Sequence, residues 1–291
     1  MSRLDRYSSH RPLLTATLLS VVSLVLVQCD RNSSPEPSLA TEAPAEVPTP
    51  TPVIAPTPVS ALTRGELVSA AGQAASAYAR GQIPTETDPL VGRGFAVRIP
   101  FGCTGPSEVL DGTTSDGVAR WTWRPDRKTI QLSLTPGDWT GSALAFQPGP
   151  AANASPVWEA VEGFWVPRPW LAAETCPDVR ADPPVTGLVP ASPQTVGIAA
   201  VFEAGGSRIG RRDGRAYVFT VRSQSDHQLA APTGGYRLLL EGRIVGFPGG
   251  RAIRCLASGP DERPVCVAAV QLDKVAFQTA TGETLGEWRP G

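Results

Sequence analysis

Proline constrains this chain more than any other residue. Thirty prolines stand among 291 residues, and 29 glycines stand with them. Together they make up about one-fifth of the chain, where about one-eighth is usual. Proline lacks an amide proton and clashes with the preceding helical turn, and glycine loses the most backbone freedom on folding. Long helices and coiled coils are therefore excluded, the more so because only 18% of residues are charged. What remains is a chain of short extended segments between turns. With 41% apolar residues it can still bury a sizeable core. A formal net charge of −1 offers no bulk attraction for nucleic acid. Of the two histidines, His10 lies in the leading segment, so a mature chain keeps only His227, too few for a multi-imidazole zinc or iron site, and no metal or other cofactor is expected.

The first sixty residues speak of compartment. Arg3, Arg6 and Arg11 precede an uncharged run at 13–27, the form of a secretory signal peptide covering 1–28. As a helix this run spans about 22 Å, short of a ~30 Å hydrocarbon core. It ends in Leu26-Val27-Gln28-Cys29-Asp30. These residues resemble a bacterial lipoprotein signal, in which cleavage leaves the cysteine as an acylated N-terminus; Gln28 stands where that signal usually has Gly, Ala or Ser. The resemblance implies a lipid, palmitate included, on Cys29. It also implies a place on the periplasmic face of an envelope membrane, with Asp30 favouring the inner one. The alternative is a cysteine at the end of an uncleaved anchor. Beyond it, the chain resembles in a general way the β-rich exported proteins of bacteria. Residues 29–60 read as attachment point and linker, with prolines at 35, 37, 44, 48, 50, 52, 56 and 58 and no periodic apolar face. In polyproline II, thirty such residues reach on the order of 90 Å.

Folded structure is expected from residue 61. Thr63-Arg64-Gly65-Glu66 matches a capping box, and Leu67, Ala71, Ala74, Ala75 and Tyr78 form one helical face. Gly81 and Pro84 close this helical segment, 61–82. From 83 to 291 the signals are strand and turn. Runs near 95–99, 118–123, 129–134, 143–146, 161–166, 196–203, 215–222, 236–246, 251–256, 265–270 and 274–278 read as strands. Asp213-Gly214 reads as a hairpin and Pro248-Gly249-Gly250 as a turn. The stretch 147–195 reads mostly as long surface loops. The expected fold is mainly β: an antiparallel sandwich or open barrel with one N-terminal helix.

Four cysteines follow Cys29: Cys103, Cys176, Cys255 and Cys266. Export places them where disulfides persist, and four thiols allow three pairings. Cys255 and Cys266 flank the turn-rich Ser258-Gly259-Pro260-Asp261, so a bridge across that hairpin is geometrically easy. Cys103 with Cys176 follows by elimination.

Three constellations are candidates for function, each with a plainer reading. Trp158, Trp165 and Trp170, with Phe164 and Arg168, crowd a loop-rich stretch. Exposed tryptophan stacks on sugar rings, whereas buried tryptophan fills a core. Glu159, Glu162 and Glu174 lie near them, and glycoside cleavage needs two carboxylates at no fixed spacing. Arg208, Arg211, Arg212 and Arg215 bracket one turn, as an anion site or as a solvated tip. Asp226-His227 stands in a polar stretch with no G-x-S-x-G elbow anywhere to complete a triad, and no catalytic residue is assigned. The expected function is a membrane-tethered envelope lipoprotein whose non-catalytic β-domain binds or scaffolds. Its partners would be the membrane, through the lipid, and an envelope protein or glycan. The alternative is a glycan-binding protein or a glycan-cleaving enzyme using the carboxylates around Trp158 and Trp170.

Overall fold

A computed structural model describes residues 60–82, 88–107, 115–145, 158–178, 193–223, 229–230 and 232–289. They belong to one compact unit, Pro56–Gly291. The signal segment with Cys29, the linker up to residue 59 and the Asp226-His227 pair lie outside the described residues.

The fold is mainly β, as the density of turns predicts. It opens with a helix, α1 (Arg64–Ala79). The capping box forms: the Glu66 amide donates to Thr63 Oγ1 at 3.4 Å, and the Thr63 amide donates to Glu66 Oε2 at 2.7 Å. Leu67 and Ala71 of its inner face are buried in the core. Tyr78, at the far end of that face, is exposed, and its hydroxyl accepts the Ala257 amide at 3.3 Å.

Eleven strands follow among the described residues: β1 (Gly94–Phe101), β2 (Arg120–Arg124), β3 (Thr129–Leu134), β4 (Gly137–Asp138), β5 (Trp158–Trp165), β6 (Val196–Glu203), β7 (Tyr217–Val221), β8 (Tyr236–Ile244), β9 (Ile253–Leu256), β10 (Val265–Thr279) and β11 (Thr284–Trp288). The larger sheet runs β1-β8-β10-β6-β5-β4, with β9 and β11 also paired to β10; the smaller runs β2-β3-β7. Val97 and Ile99 of β1 and Leu238 and Leu240 of β8 share one core with Trp121 of β2 and Ile130 and Leu132 of β3. The two sheets thus bury their apolar faces against each other as a sandwich. Among the named strands one pairing departs from the antiparallel rule: β6 and β10 are parallel, from Val196 beside Cys266 to Ala200 beside Val270.

Strand β10 joins what the sequence offers as two runs. Its pairing with β8 slips between Leu272 and Lys274, leaving Asp273 as the extra residue of a bulge. Side chains alternate with period two, so one extra residue inverts their facing. Cys266, Ala268 and Val270 point into the sandwich before the bulge, and Val275 and Phe277 after it. On the opposite face, Val267 and Ala269 join a second core with Val161, Ala199, Val201, Trp139, Trp158 and Phe247. The Trp139 indole lies against the sheet where β5 and β6 carry glycine. A Cβ at Gly163 would stand 2.0 Å from the ring and one at Gly197 would stand 2.7 Å from it.

Two disulfides are present. Cys255 and Cys266 face each other across β9 and β10 with Cα atoms 4.0 Å apart. Cys103, just after β1, joins Cys176 with Cα atoms 5.4 Å apart. Such bridges belong to chains that mature in an oxidising, non-cytoplasmic compartment.

Two local expectations are corrected. No strand forms over Ala143–Ala145: Ser142 Oγ accepts the Leu144 amide and the Ser142 carbonyl accepts the Ala145 amide, so successive turns take the backbone bonds a strand would need. Asp213 and Gly214 form a turn with φ +50 and +77. They close no hairpin, because β6 before them and β7 after them belong to different sheets.

Candidate functional site

Two of the candidate constellations prove to be one. Glu159 and Glu162 lie on β5, and the segment 205–216 crosses beside them. Glu159 Oε1 accepts from Arg208 Nε at 2.7 Å and Arg211 Nη1 at 3.3 Å, and its Oε2 accepts from Arg208 Nη2 at 3.0 Å. Arg211 Nε also stands 2.5 Å from Asp213. Glu162 is 6% exposed. Its Oε1 accepts the backbone amides of Arg212 at 2.6 Å and Asp213 at 2.9 Å. Arg212 lies over the Tyr217 ring at 4.5 Å and donates to the Ala216 carbonyl. Arg215 donates to the Arg212 and Arg211 carbonyls.

The environments push the two glutamates in opposite directions. The Arg208 hydrogen bond holds Glu159 below the ordinary carboxylate range, with the charges of Arg208 and Arg211 adding to it. Burial pushes Glu162 above that range, against the pull of the Asp213 and Arg212 amides. A raised and a lowered carboxyl on one strand invites comparison with an acid–base pair. Here, however, two guanidiniums grip Glu159 and two amides grip Glu162. The arrangement is a clamp that fixes 205–216 on the sheet, and the arginines spend their charge within the protein.

The aromatic group divides. Trp158 is 4% exposed and meets Phe247 edge-on at 5.3 Å. Trp165 packs on Trp139 at 4.7 Å. Trp170 is 58% exposed, on the segment that follows β5. Arg168, at φ +52, donates to the Pro100 carbonyl at 2.9 Å and meets Cys103 Sγ at 3.1 Å. Glu174 pairs with Arg98 at 3.3 Å. Three tryptophans therefore do not make one platform: Trp158 is core, Trp165 packs partly buried against that core, and Trp170 faces solvent.

The sequence gives no warning of Arg64, which is fully buried at the start of α1. Its guanidinium donates to the carbonyls of Pro167, Arg168 and Leu171 at 2.7, 3.2 and 3.1 Å. Burial first, and the charge of Arg168 second, pull its pKa down to about 10, while Glu174 opposes them. Together with Cys103–Cys176, it pins 166–178 to the helix and the end of β1. Among the described residues no group of His, Cys, Asp and Glu is placed to hold a metal, and no helix is long and apolar enough to cross a membrane. The chain matches no protein-family model, no curated protein and no solved structure.

Proposed function

We propose that the chain is a lipid-tethered protein of the bacterial cell envelope whose β-domain binds or scaffolds without catalysis. The observation that carries the non-catalytic part is the use made of Glu159 and Glu162. The carboxylates best placed for glycan cleavage hold the 205–216 segment in place instead. The disulfides fit an exported domain, and Cys29, just beyond the run 13–27, with the proline-rich linker after it would form the tether. A glycan-binding reading keeps one supporting residue, the exposed Trp170.

Labelling with radioactive palmitate in a bacterial host tests the tether. The full chain is expected to take up label, and Cys29→Ala to lose it. A wild-type chain that remains unlabelled contradicts the lipoprotein reading.

A further inference from the structure

We propose that the outer face of the smaller sheet binds a phosphate-bearing ligand of small-molecule size. The site is a recess of about 490 Å³ between the β2–β3 turn and the end of β7. Arg124, Arg127, Lys128 and Arg222 line it, with Asp126 the one acidic side chain there among the described residues. Strand alternation puts them there. Trp121, Ile130, Leu132 and Tyr217 point into the sandwich, which puts Arg124, Gln131 and Thr220 on the outer face; Thr122 and Thr129 share that face but are largely covered. Pairing of Arg124 with Thr129 and of Gln131 with Thr220 sets the floor.

Two of these cations have partners of their own and two have no carboxylate among the described residues. Arg124 uses Nε on Gln131 at 3.0 Å. Arg127 lies 3.4 Å from Asp126, with both side chains largely exposed. Among the described residues, Lys128 and Arg222 meet no carboxylate. Among the described lining residues, four cations against one acid make a positive hollow in a chain whose formal net charge is −1.

The backbone adds a second observation. The Arg127 amide donates to the Arg124 carbonyl at 3.3 Å, closing a turn, and Lys128 follows it at φ +49. Glycine or asparagine fits that left-handed position best. A lysine there sacrifices stability, and strain of this kind collects at functional sites.

Guanidinium forks and an ammonium match the oxygens of a phosphate, and the Thr129 and Thr220 hydroxyls can add neutral donors. The recess falls within the usual size of small-molecule sites, roughly 300–1,000 Å³, so the phosphate is carried on a larger body. That body is either a soluble phosphomonoester or a phosphodiester headgroup. The site does not depend on a lipid at Cys29.

Calorimetric titration of the full chain in nonionic detergent tests this, with inorganic phosphate, glycerol 3-phosphate and glycerophosphoglycerol as probes. One of the two organic phosphates is expected to bind more tightly than inorganic phosphate. Preference for the monoester marks a soluble source, and preference for the diester marks a headgroup. Arg222→Gln should weaken binding about tenfold or more, the scale of one charge-assisted hydrogen bond. Lys128→Gly should weaken it similarly while holding or raising the melting temperature, which separates lost binding from lost folding. Arg208→Gln, in the clamp, should leave it unchanged. No heat with any probe, binding of inorganic phosphate alone, or affinities indifferent to both recess variants would overturn the proposal.

Discussion

At the scale of single residues, this protein places charged groups where burial makes them expensive and then surrounds them with partners. Arg64 reaches three carbonyls and Glu162 reaches two amides. Each holds together segments that are distant in sequence; Arg64 gives no functional signal in the sequence, and Glu162, a candidate there for glycan cleavage, accepts two backbone amides instead. Glu162 carries a testable pH dependence. Its carboxyl titrates above the ordinary value in the folded chain, so between that value, near 4, and the raised one the folded state binds more protons than the unfolded state. The contribution of Glu162 to stability therefore falls as pH rises through this window. Glutamine keeps the accepting oxygen without the charge. Thermal melts of Glu162→Gln and wild type from pH 4 to pH 7 should show the variant gaining on wild type as pH rises. A difference that stays flat or shrinks would refute the buried-carboxylate explanation.

At the scale of elements, the fit of Trp139 onto β5 and β6 explains why those strands carry glycine. A methyl group at Gly163 has no room beneath the indole. Gly163→Ala should destabilise the fold by on the order of 3 kcal/mol, at the upper end for overpacked cores. Denaturant unfolding measures it, and a loss below about 0.5 kcal/mol, the scale of surface changes, would contradict the packing described. Strands such as β3 and β6 are legible in sequence because period-two alternation or an unbroken apolar run marks them. Strand β10 reads as two pieces because the bulge at Asp273 breaks the alternation. Strand β11 escapes notice because Thr284-Leu285-Gly286-Glu287-Trp288 mixes a glycine and a carboxylate into a short run. Its glycine leaves room for the Phe219 ring, a tertiary fact no local pattern records. The parallel β6–β10 pairing is equally hidden, since nothing local selects a partner some seventy residues away. The same holds for the clamp. Glu159, Glu162 and the four arginines are visible as separate groups, and only the fold shows that Glu159 pairs with Arg208 and Arg211 while Glu162 accepts the amides of the same segment.

At the scale of the whole molecule, the disulfides bound how the domain comes apart. The Cys103–Cys176 and Cys255–Cys266 bridges close loops with sequence separations of 73 and 11 residues. In the chain-entropy model those loops correspond to about 4 and about 3 kcal/mol. The longer bridge also holds the 166–178 segment that Arg64 grips, so covalent and polar restraints converge on one end of the sandwich. Both belong with a domain that matures outside the cytoplasm, and the proposed tether would hold that domain on a membrane. Intact-mass analysis of the chain isolated from a bacterial envelope, with thiol alkylation before and after reduction, tests export, acylation and bridging together. The expected product begins at Cys29, carries added acyl mass, resists alkylation when oxidised and takes up four alkyl groups after reduction. A chain that begins at Met1 and alkylates at all five cysteines without reductant would contradict it.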